Sequence, residues 1–259
     1  MNKMQVVLLA GGLGTRLAEE TNLIPKPMVS IGSQPILWHI MKMYSHYGFN
    51  DFIICGGYKV SVIIEYFANY RCHTSDVSIN IRDNKITFLN DASEDWNVTI
   101  VDTGIETQTG GRIKKIRKYI KPDQPFCMTY GDGVSNVNLN DVVSFHQAHN
   151  YLATLTAVRP PARFGSTIIK EGKVLQFSEK PVSGEGYING GFFVLNYDVL
   201  ELIEADDTIW EHGPLETLAD QGNLGAFVHD GFWQPMDTLR DRRHLEKLWD
   251  SNKAPWKHW

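Results

Sequence analysis

An unbroken apolar run, Val6-Val7-Leu8-Leu9-Ala10, opens the chain and stops at Gly11-Gly12. A run without polar alternation predicts a strand buried on both faces, here Gln5 to Leu9. From Ile36 to Tyr47 the apolar positions change to helical spacing, at Ile36, Leu37, Ile40, Met41, Met43 and Tyr44, with Gly48 as the stop. Asp51 to Cys55 is a second short strand, with Gly56-Gly57 behind it. Val60 to Tyr70 returns to helical spacing through Val62, Ile63, Tyr66 and Phe67. Strand and helix thus alternate through the first 70 residues, which predicts a parallel sheet covered by helices on both faces.

The alternation then breaks. Val77 to Ile81 and Ile86 to Leu89 flank Asp83-Asn84, a hairpin signal, and Val98 to Val101 is a further strand. This stretch, about 76–101, reads as a β insertion. The α/β pattern resumes with helix Ile113 to Ile120, strand Phe126 to Tyr130, helix Leu139 to His149 and strand Ala153 to Val158. Strands follow at Ser166 to Ile169, Val174 to Phe177 and Ile188 to Leu195, then two short helices around Val199 and Leu215, and strand Gly225 to His229. A last helix, Leu239 to Trp249, leads to a tail with Trp256 and Trp259, read as packing or subunit contact. No linker, repeat or low-complexity run divides the chain. Residues 1–259 therefore read as one α/β domain. The expected architecture is a mostly parallel, Rossmann-like mixed sheet flanked by helices, with the β insertion and a C-terminal helical tail.

Composition narrows the partners. An apolar share of 42% over 259 residues supports a sizeable core. A net charge of −5 with mixed signs gives no basic footprint for nucleic acid, although local fields can still bind anions. Cys55, Cys72 and Cys127 are widely spaced and form neither a metal pattern nor a disulfide framework, which suits a reducing cytosol. No stretch approaches the roughly 18 apolar residues of a membrane span, and the first apolar run is too short for a signal peptide. The expectation is a cytoplasmic protein with no membrane partner. The nine histidines show no ligand spacing, and most read as ordinary surface or helix residues.

The loop after the first strand, Gly11-Gly12-Leu13-Gly14-Thr15-Arg16, carries candidate chemistry. It lacks the Lys of a P-loop and the third glycine of a dinucleotide fingerprint, whose place Leu17 holds. Its amides can still form an anion nest. Pro25 and Pro27 restrict the backbone on both sides of Lys26, so that side chain is aimed. Downstream, Tyr130-Gly131-Asp132-Gly133 ends an apolar strand where α/β sheets bind ligands. Asp237 lies just before the last helix and reads equally as its N-cap. Two carboxylates with substrate phosphates are a common way to hold Mg²⁺, but spacing does not show that these two meet. Lys180, between Glu179 and Pro181, closes another strand; alone it reads equally as an exposed charge. Gly190 and Gly191 weaken an apolar strand beside Asn189, as glycines do where a ligand approaches. Gly165 offers another small residue.

Taken in order, Gly-x-Gly-Thr-Arg-Leu, Pro-Lys-Pro-Met, Tyr-Gly-Asp-Gly, Glu-Lys-Pro, Asn-Gly-Gly-Phe and a late Asp resemble the sugar-phosphate nucleotidyltransferase family, from about residue 5 to 245. Trp96-Asn97-Val98-Thr99, Thr109-Gly110-Gly111-Arg112, Gly231 to Thr238 and Ala254-Pro255-Trp256-Lys257 draw the resemblance toward members that use CTP and glucose 1-phosphate. Ile24 departs from it, where a polar or basic residue is expected. The resemblance implies that the sugar phosphate attacks the α-phosphorus of CTP and pyrophosphate leaves. It implies Arg16, Lys26, Asp132, Lys180 and Asp237 as catalytic, with Mg²⁺ on Asp132 and Asp237. It places the nucleotide against Leu9, Ala10, Gly11, Gly12, Gly14, Thr15, Arg16, Lys26, Thr103, Gly104, Arg112 and Gly131. The sugar phosphate falls to Gly165, Glu179, Lys180, Asn189 and Gly190. Thymidylyl or uridylyl transfer on the same fold is the alternative, and a non-catalytic nucleotide sensor is disfavoured because all five charged residues are present. A homo-oligomer is expected, with the β insertion as its interface or, alternatively, as a lid over the nucleotide.

Overall fold

The computed structural model describes residues 4–160 and 186–259, and the backbone of 166–170 and 173–178. Strand β1 (Gln5–Leu9) leads through the glycine loop and a 3-10 turn (Thr15–Leu17) to a single-turn helix α1 (Ala18–Thr21). A second 3-10 turn (Lys26–Met28) precedes the small ladder β2 (Ser30–Ile31) and β3 (Gln34–Pro35). Helix α2 (Ile36–His46) ends where Gly48 turns at positive φ. Strand β4 (Asp51–Gly56), helices α3 (Val60–Ala68) and α4 (Tyr70–Thr74), hairpin β5 (Val77–Asn80) and β6 (Lys85–Phe88), and strand β7 (Asn97–Asp102) follow. Then come α5 (Thr109–Lys115), β8 (Phe126–Tyr130), β9 (Gly133–Ser135), α6 (Leu139–His149) and β10 (Ala153–Val158). Strands β11 (Ser166–Lys170) and β12 (Lys173–Ser178) pair with each other. The chain closes with β13 (Ile188–Asn189), β14 (Phe193–Leu195), α7 (Pro214–Asp220), β15 (Leu224–His229), β16 (Trp233–Pro235) and α8 (Leu239–Asp250).

The central sheet runs β7-β4-β1-β8-β14-β10, with β13 on the β14 edge of β10 and β15 parallel on its other edge. β1, β4, β7 and β8 pair parallel, and β14 is antiparallel to both of its neighbours. Side chains alternate across each strand, so one short run feeds two cores. Val6 and Leu8 of β1 join Phe52 and Ile54 of β4 on the face covered by α2 and α6. Val7 and Leu9 join Ile53 and Cys55 on the face covered by α5 and α7. The apolar run lacks polar alternation because both faces are dry.

The structure corrects several sequence-based boundaries. Val98 to Val101 is not part of an insertion: β7 is the parallel edge strand of the central sheet, in register with all of β4. Only the β5–β6 hairpin projects, leaving Ile79, Ile81, Ile86 and Leu89 exposed. The helix expected at Ile113 to Ile120 starts at Thr109 and stops at Lys115, followed by a 3-10 turn. The helix expected from Val60 to Tyr70 breaks at Asn69. The single strand expected at Ile188 to Leu195 is split. Gly191 and Phe192 take positive φ, and pairing to β10 resumes beyond them. That bulge accounts for the glycines: a Cβ on Gly190 would strike Val158 of β10 at 2.6 Å. Two of the helix histidines are buried. His39 is held between Ile31 O and the Trp256 indole, and His146 between Thr154 and Asn196. Trp256 is fully buried, so the tail packs onto the body of the protein. Among the described residues no helix is long and apolar enough to cross a membrane.

Candidate active site

The ends of β1 and β8 open into a cleft of about 430 Å³ lined by residues 9–16, 26–27, 105–109, 112 and 130–132. It sits at the carboxyl ends of adjacent parallel strands, where α/β sheets bind ligands. The glycine loop forms one wall, the segment after β7 another, and the β8 terminus the floor. Of the residues singled out in the sequence, Leu9, Ala10, Gly11, Gly12, Gly14, Thr15, Arg16, Lys26, Arg112, Gly131 and Asp132 line it, whereas Thr103 and Gly104 do not.

A miniature antiparallel pair builds the charged mouth. β9 pairs with β16 so that Gly133 faces Pro235, and Met236 N donates to Asp132 O at 2.8 Å. This register sets Asp237 beside Asp132, although 105 positions separate them in the chain. Thr238, not Asp237, caps α8, in a capping box with Asp241. The Asp237 carboxylate instead faces the cleft cations. Lys26 Nζ reaches Asp132 at 2.6 Å and Asp237 at 2.7 Å, and Arg16 reaches the other Asp237 oxygen at 2.9 Å. The 3-10 turn that starts at Lys26, entered from extended Pro25, fixes where that lysine points. Burial alone pulls the Lys26 ammonium down, but Asp132 and then Asp237 outweigh it and the net shift is upward. Arg16, by contrast, is 69% exposed and stands at the lip of the cleft.

Arg112 lies almost wholly buried at the base of the cleft. Its Nη1 donates to Gly56 O, Thr103 Oγ1 and Gly104 O at 3.1, 2.6 and 2.7 Å. Its Nη2 donates to Gly11 O and Ile105 O at 3.0 and 3.1 Å. Burial pushes the guanidinium down from its ordinary value. Arg112 is therefore a tie between both cleft walls. A Cβ on Gly11 would come within 2.1 Å of it, so glycine is required there by the arginine. Thr103 and Gly104 serve the same tie.

Asn189 is oriented on both sides: Gly191 N donates to Oδ1 at 2.9 Å and Nδ2 donates to the Tyr130 hydroxyl at 3.3 Å. Gly190 O accepts from the Trp233 indole at 2.8 Å. Gly165, Glu179 and Lys180 lie outside the described residues. Sequence reasoning missed Tyr130 and the 105–109 wall as lining residues. Tyr130 adjoins the Gly-Asp motif and could have been flagged by that. Ile105 to Gln108 carry no local pattern.

Residues 5–234 match the nucleotidyl transferase family. The chain belongs to that family. Among its relatives, a glucose-1-phosphate cytidylyltransferase of Salmonella typhimurium is 57% identical over 256 residues, covering 99% of this chain and 100% of that protein. A mannose-1-phosphate guanyltransferase of Yarrowia lipolytica is 30% identical over 249 residues, covering 91% of this chain and 62% of that one. The crystal structure of HddC from Yersinia pseudotuberculosis superposes with a TM-score of 0.71 at 25% identity, covering 95% of this chain and 100% of HddC. The nucleotidyl transferase fold thus accounts for the central sheet, and the charged cluster of Lys26, Arg16, Asp132 and Asp237 lies at the mouth of its cleft.

Proposed function

We infer that this enzyme transfers the cytidylyl group of CTP to glucose 1-phosphate, forming CDP-glucose and pyrophosphate. The observation that carries the reading is the convergence of Lys26, Arg16, Asp132 and Asp237 at the mouth of a glycine-walled cleft, in a chain 57% identical to a glucose-1-phosphate cytidylyltransferase. Two anions must be brought together, and cations on both sides offset their repulsion. Lys26 and Arg16 neutralise the triphosphate and the departing pyrophosphate. Lys180 is the proposed grip on the sugar phosphate, with Glu179, Asn189, Gly165 and Gly190 around the sugar. The attacking phosphate oxygen is already ionised near neutral pH, so no side chain need act as base.

The donor set fits Mg²⁺. Asp132 and Asp237 present hard oxygens that converge on one cationic group, and substrate phosphates and water would complete the coordination. These two residues would hold the ion, which when bound supplies charge neutralisation on phosphate oxygens. Arg112 fixes the glycine wall against the 104–105 segment, so that cleft width is set before the nucleotide enters. The exposed apolar β5–β6 hairpin supports self-association as part of the same reading, and Ile81→Lys with light scattering tests it.

Pyrophosphate release with CTP, UTP, dTTP and GTP against a panel of sugar 1-phosphates tests the reading. CTP with glucose 1-phosphate is expected to dominate. Equal turnover with UTP or dTTP would overturn the base assignment.

A further inference from the structure

Glu211 sits in the irregular stretch between the 3-10 turn Tyr197–Leu202 and α7, and no function has yet been given to it. Both of its carboxylate oxygens accept from hydroxyls: Tyr130 on one side, and Thr109 at 2.7 Å on the other. The direction of every hydrogen bond in this chain is determined. A carboxylate only accepts, so the Tyr130 O–H donates to Glu211. The phenol oxygen is then left as an acceptor and takes Nδ2 of Asn189. Gly191 N independently fixes which end of the Asn189 amide is oxygen. Among the described residues the other Nδ2–H of Asn189 meets no acceptor, and the relay aims it. Burial, reinforced by the neighbouring Glu211 charge, pushes the Tyr130 phenol up, which keeps its proton in place as a donor.

We propose that Glu211 is a positioning residue for the sugar-phosphate half of the site, orienting the Asn189 carboxamide through the Tyr130 hydroxyl. The proposal rests on the reading of Asn189 as a sugar contact. The nucleotide wall does not depend on Glu211 in the same way. Thr109 keeps a second bond, from Trp210 N at 2.9 Å, and α5 is also held by Gln108 N to Asp206 O and Gly111 N to Thr208 O. Removing the carboxylate should therefore loosen the sugar side selectively.

Steady-state kinetics on the full-length enzyme tests this with Glu211→Ala, Glu211→Gln, Tyr130→Phe and the Glu211→Ala/Tyr130→Phe double variant. The expected result is a rise of about fivefold to tenfold in KM for glucose 1-phosphate, with KM for CTP within about twofold. The double variant should match the single ones, because both act on one relay. Glu211→Gln, which keeps one acceptor oxygen, should recover part of the loss. Additive effects, a parallel rise in both Michaelis constants, or no change in Glu211→Gln and Tyr130→Phe would each overturn the proposal. If Glu211→Ala does not fold, Glu211→Gln and Tyr130→Phe still decide it. Asn189→Ala separates the two levels. If it leaves KM for the sugar phosphate unchanged, the sugar assignment fails. If it raises that KM while Glu211 and Tyr130 variants do not, only the relay fails.

Discussion

Replacing Arg112 with Met removes the tie between the cleft walls while keeping an unbranched side chain of good helix propensity in α5. The cost follows from which acceptors lose their only donor. Gly56 O still receives Thr103 N at 3.0 Å, and Gly11 O still receives Tyr58 N at 3.2 Å. Among the described residues, Gly104 O and Ile105 O are the two of these carbonyls with no donor besides the guanidinium. A buried acceptor left without a partner costs about 1–3 kcal/mol. Gly104 is only half-buried and Ile105 exposed, so water recovers part, and about 3 kcal/mol in total is expected. For a domain of this size, about 2–4 °C in Tm accompanies each kcal/mol, so Arg112→Met should melt about 6–12 °C lower. Thermal unfolding followed by circular dichroism measures this, and isothermal titration with CTP measures the consequence for the cleft. Affinity for CTP should weaken because the glycine wall is no longer held. A Tm within about 2 °C of the parent, with CTP binding abolished, would refute the reasoning. The guanidinium would then be spent on the nucleotide and not on the walls.

Asp132→Asn should cut turnover by about 100-fold or more with Tm nearly unchanged; near-normal activity would remove Asp132 from the reaction. Lys26→Met should raise the affinity of the nucleotide-free protein for Mn²⁺, read by electron paramagnetic resonance of the free ion, because the ammonium that occupies both carboxylates is gone; unchanged affinity would mean that it does not compete. Lys26 is raised from 10.5, so its ion pairs contribute fully below that value and are lost only as pH rises past it; stability should show no Lys26 transition from about pH 6 to 9. His39 behaves oppositely. Burial pushes it down to about 4 from 6.5, and its Nδ1 accepts from Trp256. Its contribution is complete above 6.5 and fades as pH falls toward 4, on the order of 3 kcal/mol. Thermal melts of the protein and of His39→Gln should diverge less as the pH drops through that window; a constant difference would exclude His39 as the source.

Much of this protein was legible in its sequence. β1, α6 and β10 fall within the bounds that apolar periodicity predicts, since the period of a segment depends only on local geometry. The glycines before Arg16 and the prolines around Lys26 likewise marked, from residue type alone, two segments that line the cleft. What the chain pattern could not settle was partnership. β7 looks like insertion strand until β4 is seen beside it, because an edge strand carries no mark of its neighbour. Arg112, expected from the sequence beside the nucleotide, is found inside a cage of four carbonyls that three separate segments turn inward. Asp132 and Asp237 meet only because β9 and β16 pair, a contact between distant segments whose register no local preference encodes. Local sequence set the faces and ends of the elements. Long-range backbone pairing decided which charges share one cleft.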